Sequence, residues 1–201
     1  YKIDKAILNK PQSRDDYIHP RYCPLTLSEI PGDWGNKQND AIGALLFKIA
    51  DLEKKGISII RDETDKKIIQ KLVDYLEAIE YWHDKDNGIW EENEEVHASS
   101  VGACVAGLNA IRQIVYVKPE LIERGRAALR DLLPRESETK LVDLALLSLI
   151  YPYNVVSREE TLQILQNIES FLVRERGVIR YLGDQYYNNG SEAEWTFGFP
   201  W

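Results

Sequence analysis

Residues 86–108 read DNGIWEENEEVHASSVGACVAGL, and in them a glycine turn and four glutamates behind Trp90 give way to a run of small residues. The second half decides the class of fold. Val101, Val105, Leu108 and Ile111 recur at spacings of four and three, the period of one helical face. Gly102, Ala103, Ala106 and Gly107 lie between them with almost no side-chain bulk, which predicts a crowded inner helix that its neighbours approach closely.

The same period extends in both directions. Residues from about Asn39 to Lys54 read as a helix ended by Gly56. Asp62 or Thr64 caps a longer one, with Ile69, Leu72, Val73, Leu76 and Ile79 on one face and an end near His83. Pro119 suits the first turn of a fourth, which runs to about Pro134, and a fifth is expected from Lys140 to Leu149, ahead of Pro152. Ser157 and Glu160 form a capping box for a sixth, whose stripe is Leu165, Ile168 and Leu172, up to Gly177. Strand-like alternation is nearly absent, so the reading is all-α.

Composition narrows the function classes. With 201 residues, 44% of them hydrophobic, the chain has the material for a sizeable core. A net charge of -8 and no cluster of Lys or Arg free of acids speak against nucleic acid. No apolar run approaches the roughly 20 residues that span a bilayer, so no membrane partner is expected. Cys23 and Cys104 form no disulfide framework, which fits a reducing, cytoplasmic setting. His19, His83 and His97 are too scattered for a metal site, and no phosphate-cradling loop or nucleophile motif is present, so neither metal nor cofactor is expected. The chain begins at Tyr1, contains no methionine and ends on FGFPW, and is read as one partial domain, residues 1–201.

Three segments between the helices carry the informative residues: IPGDWGNKQNDAIG (30–43), DNGIWEENEEVHASS (86–100) and GVIRYLGDQYYNNGSEAEW (177–195). Each sets a Trp or Tyr beside carboxylates, amides or a guanidinium. That mixture suits a polyhydroxylated ligand, because aromatic faces cover a sugar's C–H surfaces while polar groups bond its hydroxyls. Each also has a plainer reading. Trp34 can plug a helix end, the glutamates can form a solvated acidic loop, Asp40 can serve the helix dipole, and Arg180 can be an ordinary ion-pair partner.

Taken together the segments resemble the glucoamylase-type glycoside hydrolases, family 15, in the branch shared with the α and β regulatory subunits of phosphorylase kinase. The succession WGNKQND (34–40), GIWE (88–91), HASSVG (97–102), LLPR (132–135) and EAEW (192–195) carries the resemblance. It implies an (α/α)6 toroid whose connecting loops at one end hold the site. Six predicted helices are about half of such a ring, so the missing N- and C-terminal parts of the domain are expected as partners of this chain. The family's aromatic-x-Arg-Asp segment and its late base segment are not found here.

The resemblance assigns roles residue by residue. Glu91 takes the place of the general acid, with Trp90 shielding it so that it holds its proton near neutrality, and Glu92 that of a hydroxyl-binding glutamate. Trp34 matches the tryptophan that closes over the sugar, Asp40 the aspartate of that segment, and Gln38 orients its neighbours. Arg180, Tyr181 and Asp184 match the loop that grips sugar hydroxyls. Glu94 and Glu95 have no counterpart and are read as solvated loop. Two functions stay open: inverting, exo-acting hydrolysis of α-glucosidic bonds in starch-like or maltooligosaccharide substrates, and a non-catalytic glucan-binding or regulatory scaffold. A helical interaction domain is a third.

Overall fold

The computed structural model describes residues 1–30, 32, 37–186 and 192–195. Helices α1 (Lys2–Leu8), α2 (Asn39–Lys54), α3 (Glu63–Ile79), α4 (Ala98–Ile111), α5 (Pro119–Leu132), α6 (Leu147–Ile150) and α7 (Arg158–Phe171) follow one another, and among the described residues there is no strand, only isolated bridges. None of these helices is long and apolar enough to cross a membrane.

Helices α2 and α4 lie side by side at the centre, α5 packs on α4, α6 on α4, and α1 on α3. The small residues of α4 explain its position. All but Asn109 and Ala110 of its 14 residues are buried. A Cβ added at Gly43 of α2 would stand 2.4 Å from the Ala103 carbonyl carbon, and one at Gly107 would stand 2.4 Å from the Gly43 carbonyl oxygen. The two helices therefore touch backbone to backbone, which no larger side chain permits.

Local chemistry sets the ends. The Asp62 carboxylate accepts from the backbone of Thr64 (2.8 Å) and Asp65 (3.2 Å), capping α3. The expected end near His83 comes earlier: Glu80 turns left-handed at φ 56°, and Tyr81 is folded back into the core, where its hydroxyl donates to the Leu121 carbonyl at 2.8 Å. The Ser157–Glu160 capping box of α7 forms as read. Of its expected stripe, Ile168 and Leu172 are buried as read, but Ile164 takes the inward place while Leu165 faces outward.

The helix expected over Lys140–Leu149 is shorter. Residues 136–140 form a turn in which the Lys140 carbonyl accepts from the backbone of Glu136 (3.0 Å) and Ser137 (3.2 Å). The Asp143 carboxylate then caps Ala145 N–H at 2.8 Å, so helix begins only at Leu144, as one 3-10 turn running into α6. Helix α1 had no forecast in the sequence pattern.

Because α2 and α4 start at the same end and α3, α5 and α7 return to it, the segments 37–38, 80–97, 133–143 and 172–184 gather there. They are laced together. Asn87 N–H donates to the Lys37 carbonyl (2.8 Å), and Leu144 N–H donates to the Arg180 carbonyl (2.9 Å). Thr139 donates through Oγ1 to Glu95 at 2.7 Å. Glu95 is thus a tie between two loops, not solvated as expected; Glu94 is exposed.

Candidate active site

The loop 87–92 is a tight turn with two left-handed residues, Gly88 (φ 63°) and Glu91 (φ 59°). Gly88 lies against the His97 ring, 2.9 Å from where a Cβ would stand. For Glu91, which has a Cβ, that backbone conformation costs about 1–2 kcal/mol. The cost is met by Glu92 N–H donating to the Asn87 carbonyl (2.9 Å), Glu91 N–H to that of Gly88 (3.1 Å), and the Asn87 side-chain amide to that of Glu92 (2.7 Å). Glu91 and Glu92 then both line a cavity of about 510 Å³ with Ile89, Trp90, Arg180, Tyr186 and Trp195.

Glu92 is fixed from three sides. Its Oε1 accepts from the Tyr181 hydroxyl (2.8 Å) and Arg180 Nη2 (3.1 Å), and its Oε2 accepts from Lys140 Nζ (2.7 Å). Lys140 also lies 3.8 Å over the Tyr181 ring. Asp184, fully buried, grips Arg180 through two 2.7 Å bonds, to Nε and Nη2. Burial works to raise the Asp184 pKa, but the Arg180 bonds prevail and hold it below the usual carboxylate range. The Arg180 guanidinium is stacked among Trp90 (4.9 Å), Tyr186 (4.7 Å) and Tyr181 (5.5 Å). Such a stack fixes a planar cation as ion pairs alone do not.

Trp90 is set by a residue the sequence reading passed over. Its indole Nε1 donates to Asp143 Oδ1 at 2.7 Å. Burial, with the charge of Glu136, pushes Asp143 up to about 7, although Lys140 at 3.6 Å and the Trp90 bond oppose this. Glu91 also forms an ion pair with Arg21, whose carbonyl accepts from Ile30 N–H at 3.1 Å.

Asp40 and Gln38 stand apart from this cavity. Gln38 is the N-cap residue of α2, with no side-chain capping bond. Asp40 belongs to a group behind the loop with Asp86, His97 and Glu136. Burial pushes Asp40 up to about 6, and burial plus the Asp40 charge push Asp86 up to about 7. Burial works to lower His97, yet the hydrogen bond and charge of Glu136, with the charge of Asp86, raise it to about 9. Glu136 also accepts from Ser99 N–H (3.1 Å) and Oγ (2.5 Å), and so anchors the start of α4. Trp34 lies outside the described residues. Among those described, no group of three or more His, Cys, Asp or Glu side chains is placed to hold a metal ion.

The structure therefore brings Trp90, Glu91, Glu92, Arg180 and Tyr181 together, with Asp184 holding Arg180 from behind. Lys140, Asp143 and Arg21 are additions. The pair Lys140-x-x-Asp143, two charges opening an apolar run, was the available signal for the first two; for Arg21 the sequence carries none.

The model of the glycosyl hydrolases family 15 matches residues 1–194. A probable phosphorylase b kinase regulatory subunit alpha of Caenorhabditis elegans is 32% identical over 209 residues, covering 92% of this chain and 17% of that protein. The liver isoform of that subunit in Mus musculus is 33% identical over 198 residues, covering 87% and 16%. The chain thus spans about a sixth of the length of these relatives. Among solved structures, a wild-type glycosidase (TM-score 0.73) and a variant of a glycosidase in complex with glucose (TM-score 0.74) are each 21% identical, covering 96% of this chain and 56% of theirs. That likeness identifies the fold as the toroid type of these glycosidases, of which the chain spans about half.

Proposed function

The chain belongs to glycosyl hydrolases family 15, and from that premise we propose that the cavity at Trp90 binds a glucosyl unit of an α-glucan, with Glu91 donating a proton to the departing glycosidic oxygen. One observation carries this reading. Glu91 and Glu92 are neighbours, yet Glu92 is locked by Lys140, Arg180 and Tyr181, while Glu91 is held at φ 59° on the wall of the same cavity. The locked carboxylate and guanidinium offer fixed acceptors and donors to sugar hydroxyls, and Trp90 and Tyr186 offer faces to its C–H surfaces. A strained residue kept against its backbone preference is the kind found where a side chain must be aimed.

Inverting hydrolysis needs a second carboxylate roughly 6.5–9.5 Å away to activate water on the opposite sugar face. On this reading that base comes from outside residues 1–201 and Trp34 completes the sugar site, while Gln38 and Asp40, which stand apart from the cavity, shape the start of α2 rather than touch the sugar. The products are glucose units released from the chain end of starch-like or maltooligosaccharide substrates.

A second reading has its own support: the Arg21 guanidinium engages the Glu91 carboxylate, and the relatives named above are regulatory subunits. On that reading the cavity binds glucan without cleaving it. The test is to assay glucose release from maltotriose by the full-length protein and by Glu91→Gln. The amide keeps size and hydrogen bonding but donates no proton, so kcat should fall at least about a hundredfold with binding little changed. Saturable maltotriose binding with no release by the wild type favours the scaffold, and equal rates remove Glu91 from the chemistry.

A further inference from the structure

Away from the Trp90 end of α4, a second cavity of about 530 Å³ opens between the C-terminal half of α4, helix α5 and the turn that leads into α7. With a rise of about 1.5 Å per residue, Asn109 stands roughly 16 Å along the helix axis from Ala98. The two cavities share no lining residue.

The wall combines three kinds of group. Phe47 of α2 and Tyr153 of the turn meet edge to face, ring centroids 5.4 Å apart, and give an aromatic side. Asn109 and Asn154 bring amides, and Asn154 sits at φ 49°, a conformation asparagine tolerates better than most residues. Arg126 and Arg130, four residues apart on one face of α5, bring two guanidiniums.

Both arginines are exposed, and neither side chain has an ion pair or hydrogen bond among the described residues. The carboxylate in the lining, Glu160, turns its Oε2 to Ser157 N–H at 2.7 Å as half of the capping box. Two mutually repelling cations thus face one cavity in a chain whose net charge is -8. A neutral sugar leaves them without a role, and a bare anion leaves the aromatic wall without one. The volume matches that of small-molecule sites, about 300–1,000 Å³.

We propose that this cavity binds a phosphate monoester of a small sugar. Arg126 and Arg130 grip the phosphate oxygens, Asn109 and Asn154 bond the hydroxyls, and Phe47 and Tyr153 cover the C–H face.

Isothermal titration of the full-length protein with glucose 6-phosphate, glucose and inorganic phosphate tests this, with Arg126→Gln/Arg130→Gln as the variant. Both side chains are exposed, and far-ultraviolet circular dichroism verifies that the variant folds. Saturable binding of the ester is expected, at least about tenfold weaker in the variant and tighter than that of inorganic phosphate. Excess maltose should not displace it. No saturation by about 10 mM overturns the proposal, as does an unchanged affinity in the variant. Equal affinity for inorganic phosphate, or displacement by maltose, overturns it too.

Discussion

At the N-terminal end of α4 the buried charges sit in pairs and triads: Arg180 with Asp184 and Glu92, Lys140 with Glu92 and Asp143, and His97 with Glu136. At its C-terminal end two arginines share a cavity with no acidic partner among the described residues. The difference lies in what the charges are committed to. Paired groups out of water hold one another in a fixed geometry, which suits a site whose hydroxyl-binding atoms must already be in place. Exposed, unpaired cations keep their full capacity for an incoming anion, and the fold loses little if they are removed.

Removing the cation at the centre of the paired end should do the most damage. Arg180 is 5% exposed and Asp184 fully buried. Arg180→Met keeps the bulk against Trp90 and Tyr186 but leaves Asp184 and Glu92 facing each other without their cation. Breaking a buried pair this way costs about 3–5 kcal/mol. For a chain of this size that is on the order of 10 °C in thermal midpoint, measurable by circular dichroism. Arg180→Lys keeps the charge but not the planar two-bond fork and should fall between. If Arg126→Met, at the other end of α4, destabilises as much as Arg180→Met, the contrast between the two ends fails.

A smaller loss, confined to one range of pH, is expected from His97. Its pKa is raised to about 9, above the roughly 6.5 of an unfolded histidine, so its contribution is complete below about pH 6.5 and disappears as pH rises through about 9. Asp86 and Asp40 are also raised, to about 7 and about 6, so they favour the fold most when protonated and their share is lost lower, between about pH 4 and pH 7. Asp143, also raised to about 7, titrates with them, so above about pH 8 the histidine is the one of these four groups whose charge still changes. Urea unfolding should show the wild type losing up to about 3 kcal/mol between about pH 7 and pH 9.5, and His97→Asn losing far less over that range. Parallel curves for the two proteins would show that the Glu136–His97 pair does not set the pH response of this end.

How legible each region was follows from the range of the forces that build it. The periodicity of α2, α3, α4, α5 and α7 is local and was readable, as was the capping box at Ser157, because helix caps involve residues three apart. A helix was also expected where α6 lies, but its start was not readable. Its start depends on Asp143, whose burial beside Trp90 and Lys140 is decided by chain more than 50 residues away. The one-residue slip from Leu165 to Ile164 has the same origin: both are apolar, and only the packing partner selects the face. Within the site, Glu91, Glu92, Arg180, Tyr181 and Asp184 were reached through motif resemblance. Lys140 and Arg21 belong to no family motif: the spacing Lys140-x-x-Asp143 hints at a paired charge but not at Glu92, 48 positions away, and the meeting of Arg21 with Glu91 across 70 positions leaves no mark in a single sequence.

The smallest effect should come from the far end, at the start of α7. Ser157 accepts from Glu160 N–H through Oγ at 3.2 Å, and Glu160 answers with its carboxylate on Ser157 N–H at 2.7 Å. Ser157→Ala removes the first of these bonds and leaves the second. All the groups are exposed or half-buried, so water takes over the freed N–H and no buried charge is stranded. A loss of about 1 kcal/mol in the urea midpoint is the expected result. Because Glu160 keeps its bond to the Ser157 backbone, its carboxylate stays committed to the helix start, and glucose 6-phosphate binding should be unchanged. Glu160→Ala removes that acid from the cavity wall, so binding of the anionic ester should hold or tighten even though the helix loses its other capping bond. Weaker ester binding in Glu160→Ala would mean that the carboxylate, rather than the two arginines, organises this end of the molecule.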